Sequence, residues 1–327
     1  MLALFLGAGF SHPCGVPLAS QLFDEEPQVD RIVRARLVRR VLDGWHVWRN
    51  RTGGQPEEYL GHLASSWESA AVHGRVWQDA VWYVALRIAL KMGELQMVGA
   101  RPTLVRHTLN RTTHCTIHED FWDAIFARSR SPQHVSVITT NYDVLIERGL
   151  RLIPRPRVHR PGFNYGSGPE ELQGGGYPSF THIRPIVPAG TVPVFKLHGS
   201  VSWAGGNGSL VKYHDCRPAI RGDALIVAPV PGKSPPRCLE RVWAQAEECL
   251  GGAPHWVVVG YSFPSYDEQV NSLVARAAMH GPRIDLFDPA SEGVAPRLRG
   301  LAPLAVIHSH PGLPEASWII RGMDLSI

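Results

Sequence analysis

Short, unbroken apolar runs bounded by turn residues punctuate the chain at 2–6, 135–139, 192–197, 225–229, 255–260, 283–287 and 304–308. Runs of this length without a polar alternation predict strands buried on both faces. Apolar residues at helical spacing follow several of them, at 143–150, 237–250, 266–280 and 291–299. Because parallel neighbours need crossover connections, this alternation predicts an α/β fold, a doubly wound and mostly parallel sheet covered by helices. A ligand then belongs at the carboxyl ends of the strands.

About a hundred residues separate the first run from the second, too many for a simple crossover. Segments 28–48, 57–72, 75–97 and 119–129 carry apolar residues at helical spacing, with Trp67, Trp77, Trp82 and Trp122 among them. They predict a large helical insertion or cap over 24–130 within a single domain spanning 1–327, its tryptophans forming core. From 151 to 191 the composition turns to Pro, Gly, Arg and His, including Gly174, Gly175 and Gly176. This stretch reads as a loop over the sheet edge, either a lid or a passive surface segment.

Composition narrows the classes further. Of 327 residues, 44% are hydrophobic and 19% charged, the balance of a folded protein rather than a disordered one. A formal charge of +4 is modest for this length, and its densest source, Arg31 to Arg40, alternates with Val29, Ile32, Val33, Leu37, Val41 and Trp45 at helical spacing. The arginines therefore fit the solvated face of an amphipathic helix, and direct nucleic-acid binding is not supported. The five cysteines, Cys14, Cys115, Cys216, Cys238 and Cys249, form no C-x-x-C pair. They suit a reducing compartment, neither a disulfide framework nor a cysteine-built zinc site. With no secretory lead-in and no apolar run of membrane-spanning length, the expected location is cytoplasmic and no membrane partner is expected.

Polar residues gather where the apolar runs end. Leu2 to Leu6 runs into Gly7, Ala8, Gly9, Phe10 and Ser11, small residues of the kind that let phosphates approach backbone N–H groups at a helix start, although such turns also close ordinary connections. Val135 to Thr139 leads to Thr140, Asn141, Tyr142 and Asp143. Asp143 reads naturally as a helix N-cap, whereas Asn141 lies too far upstream for that role. Val194 to Leu197 leads to His198 and Gly199, placing an imidazole able to exchange a proton near neutrality at a strand tip. His255 to Val259 leads to Gly260, Tyr261, Ser262 and Phe263, with Asp267 a further N-cap candidate. The run ending at Phe287 is followed by Asp288 and Pro289, either a ribose-binding carboxylate or a turn former.

These four ordered motifs, Gly-Ala-Gly-Phe-Ser, Thr-Thr-Asn-Tyr-Asp, Lys-Leu-His-Gly-Ser and Gly-Tyr-Ser-Phe, resemble those of the sirtuin superfamily in identity and order. The resemblance is strongest to bacterial sirtuin-like domains of antiphage defence, and it extends over about residues 2–290, largely leaving out the insertion and the 151–191 loop. It implies a Rossmann-like domain that takes NAD as substrate, with Asn141 and His198 as catalytic residues. It further implies Gly7, Ala8, Gly9 and Ser11 at the pyrophosphate, Gly260 and Ser262 near the phosphates and ribose, Asp288 towards adenosine, and Asp143 at the nicotinamide amide. Protein-deacylating sirtuins carry a zinc module with two C-x-x-C pairs, and neither pair occurs in this chain. They also have Gln-Asn-Ile-Asp where Thr140 to Asp143 stands.

The resemblance therefore implies an NAD glycohydrolase with no zinc-ribbon module and no metal at its site, controlled by homo-oligomerisation or by a partner sensor or activator protein. Two other readings stay open: a catalytically silent NAD or ADP-ribose binding module, and an NAD-dependent deacylase with a rebuilt cleft. A dehydrogenase fits less well, because the glycine turn lacks the full fingerprint and no acidic residue closes a second strand about twenty residues on.

Overall fold

The computed structural model describes residues 1–24, 38–67, 71–98, 101–104, 116–128, 134–151, 163–165, 192–206, 209–213, 215–228 and 236–314. In chain order the strands are β1 (Leu2–Leu6), β2 (Leu95–Val98), β3 (Arg101–Leu104), β4 (Val135–Thr139), β5 (Phe163–Asn164), β6 (Val192–Lys196), β7 (Gly199–Gly206), β8 (Ser209–Lys212), β9 (Ala224–Ile226), β10 (His255–Val259), β11 (Arg283–Phe287) and β12 (Val306–His310). Seven of them form one sheet in the order β12-β11-β10-β1-β4-β6-β5, and every pairing in it is parallel. The strand order reverses at β1, so the chain winds outward in both directions from its first strand. This is the doubly wound, Rossmann-like arrangement.

The helices are α1 (Ala8–Ser11), α2 (Asp43–Thr52), α3 (Pro56–Trp67), α4 (Ala71–Lys91), α5 (Thr116–Arg128), α6 (Leu145–Arg151), α7 (Arg217–Arg221), α8 (Glu240–Gly251), α9 (Glu268–Ala277) and α10 (Ser291–Leu301). The core of the large sheet joins its apolar strands to residues of α5, α6, α8, α9 and α10, with Trp122 and Trp256 fully buried. A second core joins residues of α2, α3 and α4 to Val201, Cys216, Ala219, Ala224 and Ile226, and it takes in Tyr142 and Val144 from the loop after β4 and Leu145 at the start of α6. Trp45 is buried there, while Trp77 and Trp82 pack against it half-buried. The expected helix over 28–48 is described only from residue 38, and nearly all of 151–191 lies outside the described residues.

Two expectations are corrected. The run at 225–229 is not a strand of the parallel sheet: β9 pairs antiparallel with β7, which also pairs with β8, in a separate three-stranded sheet. The physical reason is Gly199, whose φ of 81° redirects the chain after β6 and whose added Cβ would lie 2.2 Å from the Leu225 carbonyl oxygen. The cysteines are also not all free, since Cys14 is disulfide-bonded. Cys216, Cys238 and Cys249 are free thiols.

Asp285, buried in the middle of β11, ties the outer strands together. Its Oδ2 accepts from His255 Nε2 of β10 at 2.7 Å and Arg283 Nε at 3.1 Å, and its Oδ1 accepts from His310 Nε2 of β12 at 3.0 Å. Burial alone would raise its pKa, but the two imidazoles and the guanidinium hold it to about 2. A depressed carboxylate contributes stability that is present above its ordinary value and lost as pH falls through the folded value. Asp285→Asn should therefore cost about 3 kcal/mol near neutral pH, by removing the charge that Arg283 faces and one acceptor of a three-partner cluster, and should flatten the acid limb of the stability profile in urea titrations.

The loops after β1 and β10 meet backbone to backbone. Gly7 N–H donates to the Val259 carbonyl at 2.9 Å and Gly9 N–H to the Gly260 carbonyl at 3.0 Å. Gly260 has φ of 63°, and a Cβ there would fall 2.5 Å from both Gly9 Cα and Phe10 N. Gly260→Ala should lower stability by about 2–4 kcal/mol in chemical denaturation, since neither backbone can retreat from the other. Gly293→Ala, in α10 with open space around it, should instead change stability by less than about 1 kcal/mol and in the favourable direction.

Candidate functional site

Parallel pairing brings the polar strand ends to one edge. Leu6 pairs with both Val259 and Thr139, and Thr139 with Lys196, so Gly7, Gly260, Asn141 and His198 all follow at the carboxyl ends of adjacent strands. Leu197 N–H donates to the Thr139 carbonyl at 2.9 Å, extending the ladder one step. Asn141 and His198 each stand two residues beyond the Thr139–Lys196 pair.

Asn141 is 5% exposed and rigidly held. Its Nδ2 donates to the Gly7 carbonyl at 2.9 Å and to Ser11 Oγ at 3.0 Å, and its backbone N–H donates to Thr139 Oγ1 at 3.0 Å. A carbonyl can only accept, so the Gly7 contact fixes which end of the amide is nitrogen. The other end, Oδ1, is buried without a hydrogen-bond partner. Unpartnered buried acceptors are costly, and this one belongs to a residue lining a pocket. The pocket lies between α1, the loop after β4 and the insertion, bordered also by Ala8, Glu57, Ile88, Thr140, Tyr142 and Asp143.

His198 does not line that pocket but sits beside it. Its ring is 6.2 Å from that of Tyr142, and its Nε2 lies 3.4 Å from Asp267 Oδ2, with both side chains almost wholly buried. Asp267 Oδ2 also accepts from Tyr261 Oη at 2.6 Å. Burial works against the charged imidazole, but the Asp267 carboxylate and, secondarily, Glu57 outweigh it and raise the His198 pKa. Burial likewise opposes the Asp267 carboxylate, yet His198 and Tyr261 hold its pKa below the ordinary value. With Nε2 turned to the carboxylate, the neutral ring carries its lone pair on Nδ1, which is buried and has no hydrogen-bond partner.

The remaining candidates separate. Ala8 and Asp143 line the pocket, and Ser11 holds Asn141. Asp143 also accepts Leu145 N–H at 2.9 Å, so it caps the start of α6 while bordering the pocket. Gly7, Gly9 and Gly260 form the loop contact described above, with the Gly7 and Gly9 amides donated within it. Ser262 is exposed, and Asp288 accepts Ala290 N–H at 2.7 Å in a turn. Neither borders the pocket. Among the described residues no group of three or more His, Cys, Asp or Glu side chains is placed to hold a metal ion, and no helix is long and apolar enough to cross a membrane.

No protein-family model matches the chain, and no curated protein does. Among solved structures it is similar to a mutant Sir2 homologue in complex with 2'-O-acetyl ADP ribose, at 16% identity and TM-score 0.47, over 98% of this chain and 88% of that one. It is also similar to a Sir2 enzyme at 16% identity and TM-score 0.41, over 98% and 88%, and to Sir2 bound to an inhibitor, 2'-O-acetyl-ADP-ribose and a deacetylated peptide, at 13% and 0.43, over 100% and 94%.

Sequence reading did not assign site roles to Asp267, Tyr261, Tyr266 or Glu57. Asp267 does occupy the N-cap position of α9, but its side chain makes no cap bond and turns to His198 instead. Asp267→Asn should drop the His198 titration midpoint to or below the ordinary value of about 6.5, because burial is then opposed only by the weaker attraction of Glu57. Imidazole NMR titration, with His198→Gln to assign the signal, reads this directly, and an unmoved midpoint would exclude the pairing.

Proposed function

We propose that the protein is an NAD glycohydrolase, cleaving the bond between nicotinamide and ribose with water to release nicotinamide, ADP-ribose and a proton. The observation that carries this reading is the unpartnered Oδ1 of Asn141, fixed in a pocket wall beside the His198–Asp267 pair. As the C1'–N bond breaks, its electron pair neutralises the ring nitrogen and positive charge builds on the sugar, as in other glycosidic cleavages. Asn141 Oδ1 accepts from a ribose hydroxyl or the attacking water and orients it. His198 Nδ1 takes the proton from that hydroxyl or water while Asp267 stabilises the imidazolium that forms. The tautomer set by Asp267 is the one that leaves Nδ1 able to act as a base.

Nicotinamide occupies the pocket bordered by Asp143, and the pyrophosphate approaches the loop at Ala8, since the Gly7 and Gly9 amides are already donated. Ser262 and Asp288, at the outer strand ends, serve the distal ribose and adenosine. The motif resemblance supplies the wider setting of this reading: a cytoplasmic effector of antiphage defence, switched on by oligomerisation or a partner, because unregulated NAD loss would harm the host.

Purified protein incubated with NAD, with and without candidate activators, should release free nicotinamide and ADP-ribose in equal amounts. Asn141→Ala and His198→Ala should each lower the rate at least about 100-fold. The rate should rise with pH through a midpoint above the ordinary imidazole value, as His198 loses its proton. Release that persists in both variants would remove the mechanism. Tight NAD binding without turnover would point to a silent module, and release that needs an acylated peptide would point to a deacylase.

A further inference from the structure

The ionisable side chains bordering the pocket are Glu57, Tyr142 and Asp143, with no lysine, arginine or histidine among the lining residues. The unpartnered Asn141 Oδ1, itself more than nine-tenths buried, adds a third strong acceptor. A wall of acceptors suits a ligand end that presents hydrogen-bond donors and positive charge. Glu57 is the member supplied by the insertion, from the first turn of α3. An acidic residue there would ordinarily serve the helix terminus, but Glu58 performs that task, its Oε2 accepting Gln55 N–H at 2.7 Å. Glu57 instead reaches across the molecule, its Oε2 accepting from Tyr266 Oη at 2.5 Å.

We infer that Glu57 is a specificity-determining residue through which the pocket selects a positively charged, quaternised pyridine carboxamide and rejects its neutral dihydropyridine form. This deepens the NAD reading above and rests on it. The two oxidation states present the same amide and ribose donors and differ in ring charge and in the tetrahedral C4 of the reduced ring, and it is the charge that a carboxylate in the pocket wall reads. His198 stands off the pocket and is held first by Asp267, so it offsets Glu57 only in part. Burial pushes the Glu57 carboxyl upward, against the hydrogen bond from Tyr266 and the attraction of His198, with Asp267 adding to the rise. A cationic ring is the partner that would offset that burden.

Titration calorimetry at pH 8 with carbocyclic NAD+, which keeps the charged ring but is not hydrolysed, and with NADH provides the test. Wild-type protein should bind the charged form at least about tenfold more tightly. Glu57→Gln, which can still accept from Tyr266, should weaken the charged form severalfold and leave NADH affinity unchanged, shrinking the ratio. Retained NADH affinity also reports that the variant is folded. Equal affinities in the wild type, or an equal loss for both ligands in the variant, would overturn the role of Glu57 while leaving the NAD reading intact. Failure of the wild type to bind either nucleotide would overturn both.

Discussion

Everything at the carboxyl edge of the sheet depends on two backbones touching. Gly7 and Gly9 lie so close to Gly260 and Tyr261 that no side chain fits between them, and the amides of Gly7 and Gly9 bond to the strand and loop after β10. That contact fixes the Gly7 carbonyl, which in turn orients the Asn141 amide from the next strand. A glycine-rich turn of this kind invites the reading that its glycines exist to admit phosphate. Here they are required first by loop-to-loop packing, and any phosphate contact is left to the residue between them.

The electrostatics of the site follow from pairing buried groups rather than exposing them. His198, Asp267 and Tyr261 form one chain, Glu57 and Tyr266 another, and Lys196, fully buried beneath Asp143, meets Glu147 at 3.3 Å. Glu147 also accepts from Tyr165 Oη at 3.0 Å. Several buried polar atoms among the described residues still lack a hydrogen-bond partner, and two of them, Oδ1 of Asn141 and Nδ1 of His198, stand at neighbouring strand tips. What sets these two apart from the others is their place at the carboxyl edge of the sheet, Asn141 in the pocket wall and His198 beside it.

The strands of the large sheet were legible because β1, β4, β6, β10 and β11 are buried on both faces and leave an apolar run in the sequence. The run at 225–229 has the same appearance, and only the left-handed turn at Gly199, a tertiary circumstance, sends β9 to another sheet. Asn141 and His198 stood out because no local role explained them. Asp267 and Glu57 did not, since each sits where an acidic residue ordinarily serves a helix terminus. Their actual partners are far away in sequence, Glu57 and Tyr266 by 209 positions, and spacing along a chain carries no trace of such contacts.

The second apolar cluster draws on α2, α3 and α4, on the small sheet and on Tyr142, Val144 and Leu145 at once. The helical segment is thus not an appendage that could be excised or exchanged as a module, because its removal would lay bare the apolar underside of the very loop that carries Asn141. The position of those helices and that of the loop holding the amide are therefore set by one shared body of apolar packing.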